Sequence, residues 1–223
     1  MTVAAVILSA TAEGALTEAL GQPRVRRLAD IAWSGGAMPV IVLSPDPDGA
    51  AARALTGAEA VHHLPAAPET GPIGQMIRGC ELAMDDVRGT TAVLLWPARM
   101  TWVGPETVTS LIEAHGVAPD RMLRPAWRDE VGWPVLVPLA DLETLRAIDP
   151  TLMPDAIVEA LAAAIPTVAI DLGDPGVTHD ADTPYDELPT YEGPADPPAG
   201  HTHEWGEDVA TEAGLQPAPD EID

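Results

Sequence analysis

Short apolar runs alternate with amphipathic stretches through the first two thirds of the chain. The apolar runs are rich in β-branched residues and predict strands, at 3–8, 40–43, 60–64, 91–96, 122–127, 134–137 and 167–170. Between them, apolar residues recur every three or four positions and predict helices, at 24–33, 50–55, 71–84, 105–115, 139–148 and 155–164. This alternation is typical of a mostly parallel sheet covered by helices. We therefore predict an α/β fold with a small flap at 128–133.

Two of the predicted helices have clear apolar faces. The inward positions are Val25, Leu28, Ala29, Ala32 and Trp33 on one, and Ile73, Met76, Ile77, Cys80 and Met84 on the other. Cys80 is the chain's single cysteine, so it cannot form an intramolecular disulfide. Within this stripe we interpret it as a small buried hydrophobe.

The composition changes near residue 184. Beyond it the chain is rich in Pro, Gly, Asp and Glu and poor in branched apolar residues, which is typical of disorder. We predict a folded domain at 1–183 and an acidic, disordered tail at 184–223. The tail either solvates the protein or docks a protein partner through Trp205, a lone aromatic residue in a polar stretch.

The net charge of −24 is concentrated toward the C-terminus. All 11 basic residues lie before Ala147 and are arginines, whereas 18 of the 35 acidic residues follow Arg146. Nucleic acids and anionic membranes attract clustered positive charge, so neither is expected as a partner. The first apolar run is too short to span a membrane and no basic segment precedes it, so we expect a cytoplasmic protein.

Four segments resemble, in order and spacing, those of the MobA/MocA-like nucleotidyltransferases of molybdenum-cofactor biosynthesis. They are Val6–Ala10 (VILSA), Gly71–Gly79 (GPIGQMIRG), Gly132–Leu136 (GWPVL) and Asp180–Leu188 (DADTPYDEL). The resemblance implies a three-layer, nucleotide-diphospho-sugar-transferase-like (Rossmann-like) fold with a mostly parallel sheet. It also implies nucleotidyl transfer from CTP or GTP, with a nucleotide or a molybdopterin-type compound as ligand.

Three positions depart from the family pattern. In the family, the strand that corresponds to 91–96 ends in a turn whose aspartate holds Mg²⁺; here Arg99 stands there, and guanidinium cannot ligate a metal. The family's first loop carries an arginine and a lysine for the phosphates, but loop 9–21 has neither and places Glu13 and Glu18 near the expected phosphates. The flap histidine is replaced by Trp133. The resemblance therefore predicts impaired or absent catalysis, with catalytic residues unassigned.

We expect a nucleotide-binding cleft at the carboxyl ends of the strands. Its predicted lining is Ser9, Ala10, Thr11, Gly74, Gln75, Pro97, Arg99 and Trp133. Arg99 either contacts a phosphate directly or pairs with a neighbouring acid such as Glu106.

No cofactor follows with certainty from the sequence, but the resemblance is compatible with Mg²⁺ or Mn²⁺. We therefore also expect a metal site. The pair Asp180 and Asp182 has the Asp-x-Asp form that holds a divalent cation in sugar-nucleotide glycosyltransferases of a related fold. The alternative is that Asp182 caps a short helix. Asp46 and Asp48, by contrast, lie in a Pro/Gly turn.

Three functions remain open at the level of sequence. The leading hypothesis is a nucleotidyltransferase-like protein with impaired chemistry that retains nucleotide or cofactor binding. The second is a non-catalytic interaction protein or chaperone for a cofactor enzyme, and the third is a divergent glycosyltransferase that uses Asp180 and Asp182.

Overall fold

The computed structural model of the chain describes residues 2–193. Within that range the strands are β1 (Thr2–Leu8), β2 (Glu18–Ala19), β3 (Gln22–Pro23), β4 (Val40–Leu43), β5 (Val61–His63), β6 (Thr90–Pro97), β7 (Met122–Trp127), β8 (Glu130–Val131), β9 (Val135–Pro138) and β10 (Thr167–Asp171). The helices are α1 (Ala12–Leu16), α2 (Arg24–Ser34), α3 (Ala50–Ala54), α4 (Gly71–Asp86), α5 (Pro105–Val117), α6 (Leu142–Arg146) and α7 (Pro154–Ala164).

The main sheet is mixed but mostly parallel, in the order β10-β7-β9-β6-β1-β4-β5. β1 pairs in parallel with β4 and β6, β4 with β5, and β7 with β10. β9 runs antiparallel between β6 and β7, and β8 forms the flap hairpin with the end of β7. The predicted sheet and flap are therefore confirmed, and β6 is its central strand.

Helices cover both faces of this sheet. α2 and α5 contact each other on one face, while α4, α6 and α7 contact one another on the other. The central strands carry continuous apolar sequence because both of their faces are buried: in β6 the residues from Ala92 to Trp96 are at most 1% exposed. The molecule therefore has the predicted three-layer architecture.

The three central strands, β1, β4 and β6, end at the same height along the strand direction of the sheet. Leu8 at the end of β1 pairs with Leu43 of β4 on one side and with Pro97 of β6 on the other. The loops that follow these strands consequently meet at one edge of the sheet, as the parallel arrangement requires.

Some details differ from the sequence prediction. The apolar stripes place Trp33 and Met84 inward, but these residues are 44% and 36% exposed, because each lies in the final turn of its helix, where the stripe reaches solvent. β10, which an apolar run predicts in the same way as the central strands, lies at a sheet edge and is only partly buried. The short helix α1 and the β2–β3 hairpin have no counterpart in the prediction.

The Asp46 segment is the predicted turn. The Asp46 carboxylate accepts hydrogen bonds from the backbone N–H groups of Ala51 and Ala52 and so holds the start of α3. Burial alone would raise the pKa of Asp46, but these hydrogen bonds outweigh it and lower the pKa.

The described chain continues past the predicted boundary at 183. The ring of Tyr185 contacts that of Trp102 at 5.4 Å between centroids, and the Glu192 N–H donates to the Gly173 carbonyl. The rest of the predicted tail, including Trp205, lies outside the described residues. Between residues 2 and 193, none of the helices has the length and apolar character needed to cross a membrane.

Candidate functional site

A cleft of about 760 Å³ opens where the carboxyl ends of β1, β4 and β6 meet the starts of α4 and α7. Most of its wall is apolar: Leu8, Ala10, Leu43, Pro45, Pro65, Ala66, Pro68, Pro72, Met76, Pro97, Ala98, Met153 and Pro154. The polar side chains in the wall are Ser9, Thr11, Arg24, Gln75, Arg99 and Asp155. A concave, largely apolar surface with a few polar groups is typical of small-molecule sites.

The loop after β1 forms one wall of this cleft, as predicted. Thr11 is the N-cap of α1, with its hydroxyl accepting from the Gly14 N–H at 2.9 Å, and the Ser9 hydroxyl donates to the Thr11 carbonyl at 2.9 Å. These bonds hold the loop in a tight turn. Glu13 and Glu18 are exposed and are not among the residues that line the cleft.

Arg99 follows the end of β6 and lies between two carboxylates. Its Nη2 is 3.1 Å from Asp155 Oδ2, and its Nη1 is 3.1 Å from Asp180 Oδ2. The partners are therefore these aspartates, and the expected pairing with Glu106 is not among the ion pairs of Arg99. Because the guanidinium is about half exposed, these ion pairs add little to the free energy of unfolding. Their main effect is to hold the Arg99 guanidinium between the two carboxylates.

Trp133, which lies between β8 and β9, contacts Asp155, one of the two carboxylates that pair with Arg99. It is buried, with 5% of its surface exposed, and does not line the cleft itself. Its indole Nε1 donates to Asp155 Oδ1 at 2.9 Å. The Asp155 carboxylate is thus held by both Trp133 and Arg99. Trp133 therefore acts on the cleft through Asp155 rather than by direct contact.

Gln75 and Gly74 are neighbours on α4 but face different sides. The Gln75 side-chain amide accepts from the Ala66 N–H at 2.7 Å and donates to the Ala66 carbonyl at 3.1 Å, which fixes the loop after β5 as part of the cleft wall. Gly74 instead borders a shallow depression with Ile77 and Arg146. Gly74, which was predicted to line the cleft, is therefore not among the residues of its wall.

The carboxylates near the strand end do not fit a divalent cation. Asp180 Oδ2 is ion-paired to Arg99, and Asp180 Oδ1 accepts from the Asp182 N–H at 3.0 Å. Asp182 is exposed and does not cap the following 3-10 turn, which has Pro184 at its N-cap and no side-chain cap. In residues 2–193 no three His, Cys, Asp or Glu side chains are grouped to hold a metal ion.

Arg24 and Asp155 are cleft residues that sequence reasoning did not identify. Asp155 lies far from Arg99 in the chain, and no local pattern connects the two. The sequence contains a weak indication for Arg24. This residue begins α2 directly after Pro23 and has no acidic residue three or four positions later, whereas Arg26 is followed by its partner Asp30. An arginine without a partner on its own helix is available for another role.

Comparison with known proteins gives one family and a set of similar folds. Residues 13–166 match the family model described as MobA-like NTP transferase domain. A search of the curated proteins finds no match.

Solved structures with this fold include several transferases. A nucleotidyl transferase from Methanothermobacter thermautotroptrophicus has a TM-score of 0.58 at 16% identity, over 76% of this chain and 87% of its own. The 2-C-methyl-D-erythritol 4-phosphate cytidylyltransferase from Thermus thermophilus gives 0.61 at 17%, over 84% and 96%. The manganese complex of Rv0371C from Mycobacterium tuberculosis H37Rv gives 0.54 at 20%, over 77% and 89%.

Proposed function

The chain belongs to the family of MobA-like NTP transferase domains, and on that premise we propose that its cleft binds a nucleotide while ordinary metal-dependent nucleotidyl transfer is impaired or absent. The cleft lies at the carboxyl edge of a mostly parallel sheet, where nucleotides bind in folds of this class. Its apolar wall suits a base, and the loop 9–14 lies beside it.

The observation that carries the impairment is the position of Arg99. Nucleotidyl transfer depends on positive charge that stabilises the phosphate oxygens as they gain charge, usually from a divalent metal. Here the guanidinium is ion-paired with both Asp155 and Asp180, the two carboxylates near the strand end, so a metal would have to compete with Arg99 for each of them. Loss of one such stabilising group costs about 2.7–4 kcal/mol of transition-state stabilisation.

The first loop supports the same conclusion. The chain contains no lysine, and loop 9–14 contains no arginine, so the backbone turn around Thr11 offers no cation of its own. A triphosphate held there would lack the charge that normally orients and activates it. Binding of a less charged ligand is compatible with this loop.

The finer assignment follows the resemblance to molybdenum-cofactor enzymes. The ligand would then be CTP or GTP, or a molybdopterin-type compound, and the protein would act in the cytoplasm. A protein partner for the acidic tail belongs to the same proposal, although most of that tail lies outside the described residues.

A panel of thermal shifts tests the proposal. We expect CTP, GTP, or their monophosphates to raise the melting temperature of the full chain, with little further gain from Mg²⁺ or Mn²⁺. Absence of a shift with every nucleotide, with or without metal, would reject nucleotide binding. Pyrophosphate release that requires Mg²⁺ and reaches ordinary enzymatic rates would reject the loss of catalysis.

A further inference from the structure

Arg24 is a guanidinium in the cleft wall that has no partner in the described part of the chain. It lines the cleft beside Ser9 and Thr11. Its Nε is buried and has no hydrogen-bond acceptor, and its side chain makes none of the ion pairs found within residues 2–193. A buried donor without an acceptor is unfavourable, which makes this position suited to a ligand oxygen.

The neighbouring arginines are already engaged. Arg26 pairs with Asp30 at 2.8 Å, and Arg27 donates to the Thr101 carbonyl at 3.2 Å. Arg99, which also lines the cleft, is held by Asp155 and Asp180. Of the two arginines that line the cleft, Arg24 alone therefore carries charge that the surrounding side chains do not neutralise.

We propose that Arg24 binds the phosphate of a nucleotide that carries a single phosphate group, a nucleoside monophosphate or a similar monophosphate. A guanidinium offers two parallel donors to one phosphate, and the other polar groups of the wall are the Ser9 and Thr11 hydroxyls, the Gln75 amide and the mutually paired Arg99 and Asp155. A triphosphate would need further cations, and the cleft offers none because Arg99 is neutralised. This inference rests on the proposed function and specifies its ligand.

Titration calorimetry on the full chain tests this, with CMP and GMP as probes and no divalent cation. We expect Arg24→Gln to weaken monophosphate binding about tenfold to a hundredfold, the usual range for loss of a charge-assisted hydrogen bond. Arg88→Gln is the matched control, since it removes the same charge from an exposed position before β6, at the end of the sheet opposite the cleft. Its affinity is expected to equal that of the wild type.

The outcomes separate this inference from the proposed function. If the wild type binds neither mono- nor triphosphates, both fail. If nucleotides bind but Arg24→Gln matches Arg88→Gln, or if CTP and GTP bind more tightly than CMP and GMP, the assignment of Arg24 to a single phosphate fails alone. Should Arg24→Gln not fold, Arg24→Lys carries the test: it keeps the charge without the paired donors, and wild-type affinity there would overturn the proposal.

Discussion

At the scale of single residues, the charge of this cleft depends on which side chains pair with its two arginines, Arg24 and Arg99. Arg99 follows the end of β6 and is ion-paired with both Asp155 and Asp180. Arg24 lines the same cleft, and its buried Nε has no hydrogen-bond partner in residues 2–193. Chemistry at this site therefore depends on side chains far apart in sequence.

Replacement of Arg99 by aspartate tests this description of the cluster. We expect Arg99→Asp to create a group of three carboxylates, so that Mn²⁺ raises the melting temperature of the variant but not of the wild type. Transfer should not return, because loop 9–14 still lacks a cation. Pyrophosphate release from CTP or GTP, with molybdopterin as acceptor, provides the measurement.

Arg99→Gln serves as the control for that variant. It removes the guanidinium without adding a carboxylate, so a smaller Mn²⁺ effect is expected. Restored transfer in Arg99→Asp would mean that the loop does not limit catalysis.

At the scale of elements, the fold depends on the close approach of α4 to β1. A Cβ at Gly79 would lie 2.3 Å from Val6 Cγ1, so only glycine fits between this helix and strand. Cys80, the next residue, is fully buried in the same interface, and burial raises the pKa of its thiol to about 12. The interpretation of Cys80 as a buried hydrophobe is thus confirmed.

The tight approach at Gly79 predicts a loss of stability on enlargement. We expect Gly79→Ala to lower the free energy of unfolding by about 1–3 kcal/mol, the usual cost of overpacking. Gly116→Ala, at an exposed position of α5, is the control and should raise stability by up to about 1 kcal/mol through helix propensity. Urea unfolding of both variants measures the difference; equal effects would show that the contact with Val6 relaxes.

His115, which lies on α5, makes the free energy of unfolding depend on pH. The ring is fully buried, with Nε2 3.1 Å from the Thr91 hydroxyl and Nδ1 without a partner, and burial lowers its pKa. Below about pH 6.5, the ordinary pKa of histidine, the unfolded state then binds more protons than the folded state. The contribution of His115 therefore lowers the free energy of unfolding as the pH falls.

Comparison of unfolding at about pH 7.5 and pH 5 tests this coupling. We expect His115→Gln to lose less stability than the wild type over this interval, because glutamine keeps a hydrogen-bonding group but does not titrate. His63→Gln, at a partly exposed ring of β5, is the control. An identical loss in the wild type and His115→Gln would contradict the prediction.

At the scale of the whole molecule, residues 184–193 belong to the packed structure. Tyr185 contacts Trp102, and Arg128 of the flap turn pairs with Glu192 at 3.0 Å. The Trp102 indole also donates to the carbonyls of Asp180 and Thr183, which ties the end of the predicted domain to the loop after β6. We therefore propose that the folded unit includes residues 184–193, which contact the part of the chain that composition assigned to the domain.

Two truncations measure where the folded domain ends. We expect a chain that stops after Thr183 to melt below one that stops after Gly193, by about 2–4 °C for each kcal/mol of contact energy lost. Thermal unfolding followed by circular dichroism compares the two. Equal melting temperatures would support the boundary predicted from composition.

The sequence by itself determined the order and type of the main elements. The periodicity of apolar residues reports which face of a strand or helix is buried, and that information is local, so it predicts β1, β4, β6, α2 and α4 to within a few residues. It also predicted Ser9, Ala10, Thr11, Gln75, Pro97 and Arg99 at the cleft, and all six are among the residues that line it.

Only the tertiary structure decided which charges meet. Asp155 and Asp180 lie 56 and 81 positions from Arg99, and their approach depends on how the strands are ordered in the sheet. Successive helical residues point about 100° apart, so Gln75 lines the cleft while Gly74 does not. Periodicity reports that a residue is buried but not which residue it packs against. For that reason the sequence predicted the fold, whereas only the structure showed which charged side chains meet in the cleft.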